Sequence, residues 1–504
     1  MVEITFGGSV SPICHGSGIN NKTLSDLVAE VEYVDPNGNL HTVSDPELLK
    51  AAAGAFGLLG VVTAYTIRLD KMSFAAMRPF RCPVELAIPP PQEYIDAAKR
   101  GDKKYKWIKN LMAKHSQADI DKALADFIDK AENDYYAEWF WFPLQTDVWV
   151  NTWKNDGAEK DATDIPDPFQ VFLEWLEEWL AQTINEWPVW QAMPGELQAK
   201  LLGFLTLTQL ANVQPGDPTC TIPQDTDNLI VVTTQLINAL HFRRGIQNMQ
   251  VFDMEWEIPI SALPGPGTAT IAPGTSKSKK SKPPREASTS GSRPDKGKAP
   301  ETTPSAASTP KRDWSITQKA WWDGILAMEA DKSAVRVALE MRVMGGSNIL
   351  MAPQRGNDLG TCSIEVLTTP NIPESEWYSF CQKLSDQWNT YVDKSTGKRL
   401  IPKPHWCKQW TFLTVPDAQG VPVKAVDWIR TIYKDEIKSF MEILRKIGEA
   451  HGFTLEDLKA RFGDKLLENV FWGDPVFVEQ DAPPWDKSSG VINKIKAWFR
   501  KLFS

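Results

Sequence analysis

Histidine and cysteine are both scarce in this chain, six of each among 504 residues, and neither kind is clustered. Cys14, Cys82, Cys220, Cys362, Cys381 and Cys407 form no CxxC pair and no regular spacing. Neither a disulfide framework nor a zinc ribbon is therefore suggested, and reduced thiols in an intracellular compartment are expected. No second histidine stands at ligand spacing from His405, so no metal site is expected either. Long apolar runs are missing: none approaches the roughly 20 residues that a membrane-spanning helix needs. The opening MVEITFGGSV has neither the basic start nor the apolar centre of a secretory signal. A surplus of positive charge is lacking too. With a net charge of -9 and a pI near 5.4, the chain has no basic surface for nucleic acid, and no nucleic-acid partner is expected. No GxGxxG follows a strand and no Walker lysine is present, which argues against Rossmann and P-loop sites.

What is there has the balance of a globular protein, 42% hydrophobic and 24% charged. The length suffices for about two or three ordinary domains. Residues 27–35 read as a strand, Pro36 to Asn39 as a turn, and Leu40 to Val43 as the returning strand of a hairpin. Glu47 to Phe56 reads as a helix, and Gly57 to Leu69 as entry into a buried strand. Thr5 to Ser9 reads as a strand and glycine loop that begins in mid-sheet, as if the chain lacked a preceding half-domain. Residues 92–133 read as helical, and Tyr135 to Trp153 as aromatic strands about a turn at Pro143. Phe169 to Ile184 is an amphipathic helix whose face of Phe172, Trp175, Trp179 and Leu180 is expected to pack on the domain core or on a partner.

Residues 264–313 differ in kind, being built mostly of Pro, Ser, Thr, Gly, Ala, Lys and Arg, with no aromatic side chain and Ile271 as the one large aliphatic. Such a segment cannot offset its ordering entropy and reads as a disordered insertion. Beyond it, Val335 to Met344 alternates at period two as a strand, and Cys362 to Thr368 reads as another strand. Glu374 to Tyr391 and Asp427 to Gly448 read as helices, and residues 485–504 as a basic amphipathic tail, able to lie on a membrane or to dock on its own domain.

Four stretches carry chemistry. Phe6 to Gly18 combines glycines and serines that let backbone amides approach a ligand. Gly54 to Leu69 ends a helix and opens a strand. In Leu339 to Val343, Glu340 and Arg342 lie two residues apart and so point to one face, where opposite charges suit holding and polarising a hydroxyl, or form a plain surface ion pair. Lys403 to Lys408 sets His405, Trp406 and Lys408 beside a proline turn; a nucleophilic Cys407–His405 pair is disfavoured, because residues so close in sequence rarely face each other.

Taken in this order, the stretches resemble the aldonolactone and alditol oxidases, such as D-arabinono-1,4-lactone oxidase, of the vanillyl-alcohol-oxidase flavoprotein superfamily. The matching residues are Gly7-Gly8, His15-Gly16-Ser17-Gly18, Leu24-Ser25-Asp26, the run Leu59 to Thr63, the pair Glu340 and Arg342, and His405, Trp406 and Lys408. The aromatic segment at Trp139 resembles the family's cap domain. The likeness covers most of residues 1–160 and 314–475.

The resemblance implies an α+β fold: a partial FAD-binding subdomain over residues 1–72, and an antiparallel-sheet substrate domain covered by helices. That second domain would run over residues 73–263 and 314–484, interrupted by the insertion. It implies FAD as cofactor, held by Gly8, Ser9, Cys14, His15, Gly16, Gly18, Val62 and His405. It implies Glu340, Arg342 and Lys408 as catalytic residues, a sugar lactone or polyol as substrate, and molecular oxygen as acceptor. Two departures accompany it: the family's first flavin subdomain would precede Met1, and Pro12-Ile13-Cys14 replaces the usual small and hydroxyl residues. The other reading is a catalytically incomplete remnant whose tryptophan-rich helices and tail serve protein or membrane contacts. The compartment is left open between the cytoplasm and a mitochondrial or membrane-associated location.

Overall fold

Strand residues that alternate between apolar and charged side chains organise this chain, and the computed structural model describes residues 5–78, 80–163, 168–213, 231–240, 250–264 and 310–473. Strands β1 (Val28–Val34), β2 (Leu40–Val43) and β3 (Val61–Ile67) form a small antiparallel sheet in the order β2-β1-β3. The expected hairpin turn closes it: Asp35 Oδ1 accepts from the amides of Asn37 at 2.8 Å and Asn39 at 2.9 Å. The following helix, Pro46–Ala52, is capped by Asp45 and has proline in its first turn; it stops short of the expected Phe56. There Phe56 and then Gly57 take positive φ, which a helix cannot continue through.

Among the described residues the second sheet has nine strands. These are β4 (Phe74–Met77), β5 (Phe80–Pro83), β6 (Tyr136–Trp141), β7 (Asp147–Lys154), β8 (Val232–Gln235), β9 (Phe252–Pro259), β10 (Ala338–Met344), β11 (Thr361–Thr368) and β12 (Lys403–Pro404). The order is β12-β9-β11-β10-β6-β7-β4-β8, with β5 paired to β7. A two-stranded ribbon of β13 (Thr414–Pro416) and β14 (Pro422–Lys424) stands apart.

Period two gives the nine-stranded sheet an apolar face: Met254, Trp256 and Ile258 on β9, Ile364 and Val366 on β11, Leu339 and Met341 on β10, and Trp139 on β6, all fully buried. Helix Ser315–Ala330 seals this face, with Gly324 close against Leu339, and helix Glu374–Trp388 packs beside it. Much of the unusual tryptophan content is consumed here, as Trp321, Trp322, Trp377 and Trp388 are also fully buried. The resulting architecture, antiparallel sheets covered by helices, is the α+β class that the sequence leads one to expect. One apolar core runs from Val10 and Val31 through to Phe471, so the first 72 residues share their interior with the rest.

Several expectations need correction. Thr5 to Ser9 is not a strand: Phe6–Val10 is a short helix, with Thr5 Oγ1 accepting from the Gly8 amide at 3.1 Å. Local capping satisfies amides that find no partner strand. Strand β3 is not buried, and Val61 is 59% exposed. The amphipathic helix forms as Pro168–Glu186, but among the described residues its face does not pack on the core: Phe172 and Trp179 are each 51% exposed. Asp427 to Gly448 is divided at Tyr433 into helices Ala425–Ile432 and Lys434–His451. At the end of the expected insertion, residues 310–313 are ordered, with an antiparallel bridge between Ala262 and Arg312. The remainder of that insertion, 265–309, and the tail at 485–504 lie outside the described residues.

The segment after the first helix is fastened to the large sheet through Gly18. Its amide donates to the Val343 carbonyl at 2.7 Å, its φ is 99°, and an added Cβ would stand 2.1 Å from the Tyr135 carbonyl oxygen. Gly18→Ala is therefore expected to destabilise the fold by about 2 kcal/mol. Chemical denaturation reads this; an unchanged midpoint would show that backbone packing does not require glycine here.

Candidate active site

The other face of the large sheet is polar, yet it is also buried. Alternation places Asp253, Glu255 and Glu257 on this side of β9, Ser363 and Glu365 on β11, Glu340 and Arg342 on β10, and Tyr136 and Glu138 on β6. Register brings them into rows: Glu255 is opposite Glu365, which is opposite Glu340, while Glu257 is opposite Ser363, which is opposite Arg342, which is opposite Glu138. Glu257 and Glu138 have no solvent exposure, and Glu340 has 7%. Buried carboxylates must be paired or protonated. Both solutions occur here.

Pairing comes from distant parts of the sequence. His15, in the segment beyond the first helix, places Nε2 at 2.8 Å from Glu255 and 3.0 Å from Glu257, with its side chain 3% exposed. Its Nδ1 hydrogen-bonds the Gly16 carbonyl at 2.8 Å, which makes that nitrogen the donor. Burial opposes charge on this imidazole, but Glu257 and Glu255 outweigh burial and hold its pKa well above the usual histidine range. β12 pairs with β9 and delivers the turn that follows: the His405 amide donates to the Glu255 carbonyl at 3.1 Å. Lys408 then sets Nζ at 2.6 Å from Glu365 and 2.8 Å from Asp253. Burial disfavours its charge too, but Glu365, Glu255 and Asp253 hold it well above the usual lysine value. Arg342 donates from both Nε and Nη2 to Glu138, at 2.6 Å each, and also bonds Glu340.

The carboxylates outnumber these cations, and the surplus is met by protonation. Burial dominates at Glu340 and, with the neighbouring carboxylates Glu138 and Glu365 adding to it, pushes it well above the carboxylate range despite the guanidinium. Burial likewise raises Glu365 to about 7, against the pull of Lys408. Burial also brings His405 down to about 3, with Glu255 opposing and His15 assisting. The face thus holds cationic, anionic, neutral and near-neutral-titrating groups within a few ångströms. It can bind a polar ligand, support charge on oxygen, and exchange a proton at Glu365.

Of the residues expected from sequence, Glu340, Arg342, Lys408, His15 and His405 converge on this face; the rings of His15 and His405 are 5.2 Å apart. Gly16 is at its exposed edge, where an added Cβ would meet nothing within 4 Å. Cys14 stands beside Cys407, sulfur to sulfur 3.9 Å. Gly18 is buried and serves the backbone packing described above. Gly8 and Ser9 sit on the short helix Phe6–Val10, and Ser9 Oγ bonds the Thr5 carbonyl at 3.3 Å. Val62 is opposite Tyr33 in the small sheet, so neither it nor that helix joins the charged face.

Asp253, Glu255, Glu257, Glu365 and Glu138 were not anticipated. The signal was present on β9, where Phe252 to Ile258 alternates apolar and acidic residues; only burial of the acidic side distinguishes it from an ordinary solvated strand. No metal was expected, yet donor atoms of His15, Glu255 and His405 lie within 4.8 Å of one another. Within that grouping His15 Nε2 is already bonded to Glu255 at 2.8 Å. A cleft of about 590 Å³ opens elsewhere, among the helices covering the apolar face, and is lined by Lys104, Trp107, Asp323 and Lys383. It holds none of the converging residues, and Asp323 in it is already bonded by Tyr94 and Tyr391.

No protein-family model matches the chain. Among solved structures, the fold is similar to that of a solvent-stable cholesterol oxidase at 12% identity and a TM-score of 0.51, over 90% of this chain and 75% of that one. It is similar as well to the cholesterol oxidase from B. sterolicum at 13% identity and a TM-score of 0.53, over 92% of this chain and 74% of that one. At such identities the likeness is one of fold.

Two outcomes follow from the pairing. His15→Ala strands two buried carboxylates and is expected to cost about 3 kcal/mol or more in a denaturation experiment; a loss below about 1 kcal/mol would mean that water already reaches them. Glu365 has a folded pKa raised from 4.5 to about 7, so the stability it contributes is complete below about 4.5 and is lost as pH rises through about 7. Glu365→Gln should flatten the fall in thermal midpoint over that window, and an identical pH profile would refute the assignment.

Proposed function

We propose that the chain is a flavin-linked oxidoreductase acting on a CH–OH group, with FAD as cofactor, a sugar lactone or polyol as substrate and oxygen as acceptor. One observation carries this reading: Glu340, Arg342, His15, His405 and Lys408, singled out by resemblance in three separate stretches, meet on one buried sheet face. The oxidase fold likeness supports the same class.

The donor set suits the reactive end of FAD, since cations and hydrogen-bonding side chains adjoin the open edge at His15-Gly16. Bound FAD would supply the two-electron acceptor that protein side chains lack. The chain's residues supply the rest. Lys408 and Arg342 hold positive charge where the substrate oxygen becomes negative, and burial makes that charge more effective than it would be in water. Glu340, whose carboxyl is pushed well above the usual range by burial, orients substrate hydroxyls by hydrogen bonding to them. Glu365 takes the hydroxyl proton, since a group titrating near 7 is matched to that task at neutral pH.

A different observation favours the interaction reading: Phe172, Trp175, Trp179 and Trp187 are all more than two-fifths exposed, as a contact surface would be. Titration with FAD, followed by flavin fluorescence, separates the two; saturable quenching supports the oxidoreductase and its absence supports the interaction module. In a flavin-loaded protein, Lys408→Ala is expected to lower polyol- or lactone-dependent oxygen consumption about 100-fold in kcat. Turnover equal to the parent's would sink the catalytic assignment.

A further inference from the structure

We infer that Cys14 and Cys407 form a peroxide-reactive dithiol, a site at which the chain takes a hydroperoxide and closes an internal disulfide. Their sulfurs are 3.9 Å apart although 393 positions separate them in sequence. Neither residue is in a strand or helix: Cys14 is in the segment beyond the first helix, and Cys407 is in the turn that follows β12. Side-chain rotation and a small shift of either turn can therefore close the remaining distance to the bond length of about 2.05 Å. Both are reachable from solvent, Cys407 being exposed and Cys14 half-buried, whereas Cys82, Cys362 and Cys381 are buried. An accessible thiol beside a second thiol is the arrangement in which oxidation stops at the disulfide.

The chemistry balances with a hydroperoxide as the oxidant. The more exposed sulfur, that of Cys407, attacks the peroxide oxygen; the S–O bond forms, the O–O bond breaks, and the leaving oxygen departs with the thiol proton as water or an alcohol. Cys14 sulfur then attacks Cys407 sulfur; the S–S bond forms, the S–O bond breaks, and the hydroxyl leaves with the Cys14 proton as water. The two thiols lose two electrons and the peroxide gains them.

The consequence is positional. The bond ties the turn that carries His405 and Lys408 to the segment that carries His15, one residue away from His15 on one side and from Lys408 on the other. It fixes the spacing of groups that meet on the charged face. Whether or not the chain oxidises a substrate, the dithiol is tested with added hydrogen peroxide.

The full-length chain is treated with a modest excess of hydrogen peroxide, its remaining thiols are alkylated, and it is digested and mapped by mass spectrometry without reduction. The expected result is a peptide pair joined through Cys14 and Cys407, released by dithiothreitol, with Cys82, Cys362 and Cys381 alkylated only after unfolding. In Cys407→Ser the pair is expected to vanish and Cys14 to remain alkylatable. Oxidation of Cys407 to sulfinic or sulfonic acid while Cys14 stays free would overturn the proposal. So would joining of either cysteine to another partner, or a Cys14 that no longer takes the alkylating reagent in peroxide-treated Cys407→Ser.

Discussion

Burial of carboxylates on the polar face of the large sheet is the constraint on which the rest of the structure depends. Asp253, Glu255, Glu257, Glu365, Glu340 and Glu138 come from four neighbouring strands, and isolated buried charge of that kind is incompatible with a stable fold. The chain meets the constraint with Arg342 from within the sheet, and with His15 and Lys408 brought in by two segments that cross over it. These ion pairs act in place of an apolar layer. They dock the segment beyond the first helix and the turn after β12, which would otherwise have little reason to lie there.

The same arrangement explains why charge is distributed unevenly among chemically similar residues. Glu340 bonds Arg342, yet burial and the neighbouring Glu138 and Glu365 push it well above the usual carboxylate range. Two histidines lie with ring centroids 5.2 Å apart; His15 faces two carboxylates and stays charged, while His405 stays neutral. Splitting like groups into opposite protonation states is how a small site comes to hold an acid, a base and fixed charges together.

How much of this was legible varies with the range of the interaction. Period-two alternation marked β10, and the turn residues Pro36 to Asn39 marked the first hairpin, because backbone geometry acts over a few residues. The helix Pro168–Glu186 was legible as a helix but not in what its aromatic face meets, since periodicity gives a face and not a neighbour. Strand β3 read as buried because Leu58 to Val62 is apolar, yet it lies at the edge of a three-stranded sheet. Thr5 to Ser9 read as extended for want of a helix signal longer than one turn, although the cap at Thr5 decides it.

By itself the sequence determined the α+β class, the first hairpin, the strands β6, β7, β10 and β11, several of the helices, and the residue types from which a site could be made. It also carried Glu340, Arg342, His15, His405 and Lys408, because their motifs are local. Only the tertiary structure decided that these residues share one face with Asp253, Glu255, Glu257, Glu365 and Glu138, and that Cys14 meets Cys407. Strand order and register place residues hundreds of positions apart within hydrogen-bonding distance. Burial, which turns ordinary alternating acids into groups of shifted acidity, is a property of what covers a face and is written nowhere in the strand itself.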